Sequence, residues 1–100
     1  MAKIDVNSLP EFDAADYLTT PERQAEFLSA ALEDGDDAGI RNALGVIARA
    51  RGMTGIAEAT DMNRQGLYVA LSENGNPAFS TVMKIVRAMG MKITITASTP

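Results

Sequence analysis

The sequence predicts a mainly α fold: a bundle of helices around a helix-turn-helix unit, with an N-terminal helical extension and a short C-terminal β-strand. Three observations carry this reading. Apolar residues recur at the helical period between Phe27 and Met89, and cap residues and glycines punctuate those stretches. The period then changes to strict alternation at Lys92-Ile93-Thr94-Ile95-Thr96-Ala97. With 100 residues the chain has one core, because a domain of this size buries only about 65% of its unfolded surface. Three sections follow: an acidic N-terminal arm and helix over 1–35, a helix-turn-helix unit over 36–90, and a C-terminal strand in 91–100.

Met1 to Glu11 shows neither helical nor strand period, and Pro10 marks its end, so it reads as an extended arm. Asp13 caps a short turn through Tyr17 and Leu18. Thr20-Pro21-Glu22 is a helix start, a Thr cap followed by Pro in the first helical position, and Phe27, Leu28, Ala31 and Leu32 form its inner face. Gly35 stops it. Asp36 or Asp37 caps the next helix, which buries Ile40, Ala43, Leu44, Ile47 and Ala48, turns Arg41, Asn42 and Arg49 outward, and ends at Gly52. Thr54 is expected to cap a short helix from Gly55 to Thr60, with Ile56 and Ala57 inside.

After the break at Asp61-Met62-Asn63, Asn63 caps a helix that buries Leu67, Ala70 and Leu71 and presents Arg64, Gln65, Tyr68 and Ser72. Asn74-Gly75-Asn76-Pro77 is a loop by composition. Ser80 or Thr81 opens a last helix carrying Val82, Ile85, Val86 and Met89, closed by Gly90. The β-branched alternation of 92–97 reads as a half-buried strand. A lone strand leaves its backbone groups unpaired, so a partner strand is required. A second copy across a two-fold axis, a partner protein, or Met1–Asp5 folding back are the three sources, with the homodimer preferred.

Composition excludes much chemistry. Cys 0 and His 0 remove disulfides, thiolate zinc sites and every triad or metal site built on imidazole, so no enzyme activity, metal or cofactor is expected. Glu33-Asp34-Gly35-Asp36-Asp37 lacks the spaced oxygens and terminal Glu of a calcium loop and reads as helix capping. No apolar run reaches the roughly 20 residues that span a bilayer, and Met1–Pro10 has no signal pattern, so a cytoplasmic protein without a membrane partner is expected.

The net charge of −4 hides a split. Residues 1–37 hold ten acids against Lys3 and Arg23, whereas residues 38–100 hold seven bases against Glu58, Asp61 and Glu73. An acidic head precedes a basic body, and such asymmetry points to nucleic acid or to a charged protein partner. The unit that can read DNA is Thr54 to Ser72, two short helices around a tight turn. In such a unit the start of the second helix meets base edges in the major groove. Arg64 matches guanine bidentately and Gln65 matches adenine, with Asn63 at the cap; Tyr68, one turn on, reaches a phosphate or a thymine methyl. Arg49, Arg51, Thr54, Ser72, Asn74, Asn76, Ser80 and Thr81 are candidates for surrounding backbone contacts, helped by unpaired N–H groups at helix starts. The competing reading of Arg64 and Gln65 is plain solvated surface, and that of Tyr68 is a lid over the apolar seam.

Four stretches carry a resemblance: Phe12-Asp13-Ala14-Ala15-Asp16-Tyr17-Leu18, Ala30-Ala31-Leu32-Glu33-Asp34-Gly35-Asp36, Ala43-Leu44-Gly45-Val46-Ile47-Ala48-Arg49-Ala50-Arg51-Gly52-Met53 and Leu67-Tyr68-Val69-Ala70-Leu71-Ser72-Glu73-Asn74-Gly75-Asn76-Pro77. Together they resemble the bacterial addiction-module antidotes, small HigA-like antitoxins with a lambda-repressor-like, Cro/CI-type helix-turn-helix. The resemblance implies a DNA-binding antitoxin of a type II toxin-antitoxin module. Such a protein neutralises a RelE/ParE- or HigB-like toxin and, as a homodimer on double-stranded operator DNA, represses its own operon. Relatives usually carry Gly where this chain has Asp61, and Ser-Arg-Glu where it has Asn63-Arg64-Gln65. The first difference asks Asp to adopt a positive φ, and the second removes an acid that would repel phosphate. Because toxins of this kind tend to be basic, the acidic head is the candidate toxin surface. A stand-alone prophage-type regulator and an interaction module with a purely structural helix-turn-helix are the alternatives.

Overall fold

A computed structural model describes residues 13–98, and over them the chain is mainly α-helical. The helices are α1 (Ala14–Tyr17), α2 (Pro21–Asp34), α3 (Asp37–Arg51), α4 (Met53–Ala59), α5 (Arg64–Ala70) and α6 (Phe79–Ala88). The extended arm read over Met1–Glu11, and with it the idea that Met1–Asp5 pairs with the C-terminus, lies outside the described residues.

Local chemistry places most helix ends. The side chains of Asp13, Thr20, Asp36 and Asn63 accept from the backbone N–H of Ala15, Arg23, Gly39 and Gly66, at 3.0, 3.1, 3.1 and 2.6 Å. These bonds satisfy donors that the first turn of a helix leaves unpaired. Pro21 occupies the start of α2, and Gly35 ends it in the left-handed conformation at φ 73°. At the end of α4 that conformation falls to Asp61 (φ 57°), the one non-glycine residue with positive φ among those described. Around it Met62 N–H donates to the Ala57 carbonyl (2.9 Å) and Asp61 N–H to that of Glu58 (3.2 Å), the paired bonds of a Schellman ending. The sequence expectation at this bend is met, and an L-residue carries the strain.

Two cap assignments need correction. Thr54 does not cap a helix, because α4 begins at Met53. Gly52, at φ 102°, both ends α3, donating to the Ala48 carbonyl (2.8 Å), and starts α4, accepting from Ile56 N–H (3.2 Å). With one glycine serving both helices, Thr54 falls inside the first turn. Likewise α6 starts at Phe79, ahead of Ser80 and Thr81, and has no side-chain cap.

The expected C-terminal strand is not there. No strand forms among the described residues, and 91–98 run on from α6 without regular structure. Alternation of Ile93 and Ile95 is a local signal, but a strand is defined by pairing with a second one. Without that partner Ile95 is 93% exposed.

One apolar cluster joins the elements: Leu44, Ile47 and Ala48 of α3, Ile56 and Ala57 of α4, Leu67 of α5, Ile85 and Val86 of α6, and Met89. Ala15, Leu18 and Leu28 belong to the same cluster, so α1 and α2 are packed into the bundle. Polar bonds reinforce that junction. Gln24 is only 5% exposed, yet its amide donates to the Leu18 carbonyl (3.0 Å) and accepts from the Arg51 guanidinium (2.9 Å). Arg49 reaches Asp13 at 3.1 Å.

The surroundings of Asp13 set a pH dependence. The Asp13 carboxyl is held below its ordinary value, first by the Ala15 N–H and then by the hydrogen bond and charge of Arg49. A depressed folded-state pKa stabilises the fold above the unfolded carboxylate value of about 3.9, and this is lost as pH falls through the folded value. The Ala15 amide resonance is therefore expected to titrate with a midpoint below about pH 3.9. In Arg49→Ala the midpoint should move upward; an unchanged midpoint would remove Arg49 from the cause.

Candidate nucleic-acid interface

The turn Thr60–Asn63 joins α4 to α5 and sets how α5 is presented. Thr60 is buried, and its hydroxyl donates back to the carbonyls of Ile56 (2.8 Å) and Ala57 (3.1 Å), which removes a polar group that would otherwise be unpaired. Leu67 is the buried residue within α5, Leu71 at its C-cap is buried in the same core, and Arg64, Gln65, Tyr68 and Val69 are exposed.

Asn63, Arg64, Gln65 and Tyr68 come together on the exposed start of α5. The Asn63 Oδ1 is used by its cap bond to Gly66 N–H. The Arg64 guanidinium lies 5.7 Å from the centre of the Tyr68 ring, within cation–π range. Tyr68 is 42% exposed, and its ring is the surface against which Arg64 lies.

The other candidates lie on separate elements. Thr54 is exposed in the first turn of α4, Asn74 and Asn76 are exposed in the loop after α5, and Ser80 and half-buried Thr81 open α6. Ser72 turns its hydroxyl back onto the Val69 carbonyl at 2.7 Å. Arg49 and Arg51 close α3, where Asp13 and Gln24 engage them, so both have structural work within the chain.

Two residues that matter to this surface were not picked out from the sequence. Arg41, read as an outward charge, donates from Nε to the Ser72 carbonyl (3.0 Å) and from Nη2 to the Glu73 carbonyl (2.8 Å). It thereby ties the loop behind α5 to α3, and nothing local foretells a contact that distant in sequence. Gln24 did leave a signal: it falls in the helical register of Phe27, Leu28 and Ala31, a polar residue on an apolar face. Among the described residues no cluster of acids is placed to hold a metal ion, and the Glu33–Asp37 stretch serves as the α2 stop and the α3 cap. No described helix is long and apolar enough to cross a membrane.

This arrangement can be set beside known proteins. A family model described as "Probable addiction module antidote protein" matches residues 8–97. The chain belongs to this family. An "Uncharacterized protein" of Haemophilus influenzae (strain Rd) is 42% identical to it over 90 residues, spanning 90% of this chain and 93% of the relative. No solved structure matches. The matched residues run from α1 through α6, so the N-terminal helices lie within the family match.

Proposed function

We propose that this antidote is a cytoplasmic DNA-binding antitoxin of a type II module, HigA-like, in which α4 and α5 form a Cro/CI-type helix-turn-helix. The observation that carries the reading is the exposed start of α5, where Arg64 is steadied over Tyr68 beside Gln65. A helix so presented enters a major groove with Arg64 toward guanine and Gln65 toward adenine. The first-turn N–H groups of α4 and α6 have no side-chain cap, which suits them to phosphate oxygens next to Thr54, Ser80 and Thr81. Residues 36–90 are then the DNA unit. Two copies read two half-sites about 34 Å apart and repress the antidote's own operon.

The test is binding to DNA from upstream of its own gene against scrambled DNA, over a range of salt. Preference for its own DNA is expected, weakening as salt rises. Arg64→Ala with Gln65→Ala should cost about 1–3 kcal/mol per contact and abolish the preference while leaving the circular dichroism spectrum unchanged. Equal affinity of the wild-type protein for both DNAs overturns the reading.

The family's description names an antidote, and a toxin of the RelE/ParE or HigB kind is its proposed partner. Glu22, Glu26 and Glu33 are exposed on α2 and form no ion pair among the described residues, which leaves them available to a basic protein. Since α1 and α2 share the core, reversing these charges is a cleaner test than removing residues 1–35. Unchanged toxin binding by that variant would move the contact elsewhere.

A further inference from the structure

The most exposed aromatic side chain among the described residues is Phe79, at 78%. It is the first residue of α6, and beside it lies a depression of about 270 Å³ floored by Ile40, Leu44, Pro77 and Val82. Asp37 and Arg41 stand at its edge. Asp37 makes no ion pair among the described residues, and Arg41 spends Nε and Nη2 on the Ser72 and Glu73 carbonyls while Nη1 has no partner there.

We propose that this patch is a homodimer interface, in which Phe79 of each copy enters the apolar depression of the other. The argument for a second copy is self-complementarity. A two-fold interface places the same patch on both sides, so it must contain both members of every contact it makes. Here a projecting ring adjoins a hollow with room for one, and an acid adjoins a base, so that Asp37 of one copy faces Arg41 of the other. The outer face of α2 has the opposite character: its acids are of one sign, repel a second copy and suit a different protein. The unpaired segment 91–98 offers no strand to build a dimer on, whereas Phe79 follows the loop that Arg41 ties to α3. A dimer through it holds two α5 helices at a fixed spacing, which one copy cannot supply.

The inference deepens the dimeric part of the proposed reading, and its test uses no DNA, so either can fail without the other. Sedimentation equilibrium of the full chain is expected to show a dimer. Phe79→Asp should raise the dimer dissociation constant at least about 30-fold, as expected for a buried aromatic anchor. The change is at an exposed position in a first helical turn, where Asp is favoured, and the far-ultraviolet spectrum should be that of the wild type. Asp37→Arg, which sets like charges opposite each other, should also weaken the dimer, while Phe79→Leu should largely keep it. A wild-type monomer at about 100 μM overturns the proposal, since a dissociation constant above that leaves the protein monomeric at lower concentrations as well. A dimer that both Phe79→Asp and Asp37→Arg leave unchanged overturns it equally.

Discussion

Leu67→Ala is expected to destabilise the protein by about 3–4 kcal/mol, a large share of the roughly 5–15 kcal/mol that holds a domain together. Leu67 has no exposed surface and is the buried residue of α5. Removing its isobutyl group takes apolar surface out of the core and leaves a cavity, and the surroundings collapse only in part. Each kcal/mol lowers the melting temperature of a domain of this size by about 4–8 °C, so thermal denaturation should show a fall of about 15 °C or more. The effect on the surface of α5 should be larger still. With Leu67 the buried side chain within this short helix, amide exchange in 64–70 should accelerate before exchange in α3 does. A fall below about 4 °C would mean that α5 is held by something other than Leu67.

Gly75→Ala is the second large effect. A Cβ at this position would lie 2.6 Å from the Val69 carbonyl oxygen and nearer still to that of Ala70. Neither oxygen can retreat easily, since both belong to the last turn of α5. Gly75 N–H also donates to the Ser72 carbonyl (2.9 Å), which Arg41 holds from the other side. The added methyl must therefore displace the backbone of the loop, at about 3 kcal/mol. Gly55→Ala is the control: its Cβ would meet nothing within 4 Å, and within helix α4 the change should stabilise by about 0.5–1 kcal/mol. Equal melting temperatures for the two variants would show that the loop yields where the geometry says it is blocked.

Where the sequence reading succeeded, the controlling physics is short-ranged. Asp13, Thr20, Asp36 and Asn63 cap their helices through bonds to residues two or three positions on, and Gly35, Gly52 and Gly90 adopt positive φ where each helix stops. Asp61 is the sharpest case. Its left-handed conformation is what the glycine of related proteins at this place implies, and the Schellman bonds of Met62 and Asp61 accompany it.

The misses share a different physics. Thr54, Ser80 and Thr81 have good cap chemistry, but Gly52 shared between α3 and α4 and the earlier start of α6 put them inside their helices. Arg49 and Arg51 have in Asp13 and Gln24 partners that the sequence does not reveal, because they come from the packing of α1 and α2 against α3.

Helix content, the caps at Asp13, Thr20, Asp36 and Asn63, the acidic head and the exposed chemistry of Asn63, Arg64, Gln65 and Tyr68 all follow from residues within a turn or two of one another, and a chain read in order contains that information. The loss of the C-terminal strand, the Arg41 tie to the loop behind α5, the burial of Gln24 and the exposure of Phe79 beside an apolar hollow depend on which distant segments meet. Strand pairing, buried polar satisfaction and shape complementarity are properties of two surfaces at once, and a linear pattern describes only one of them.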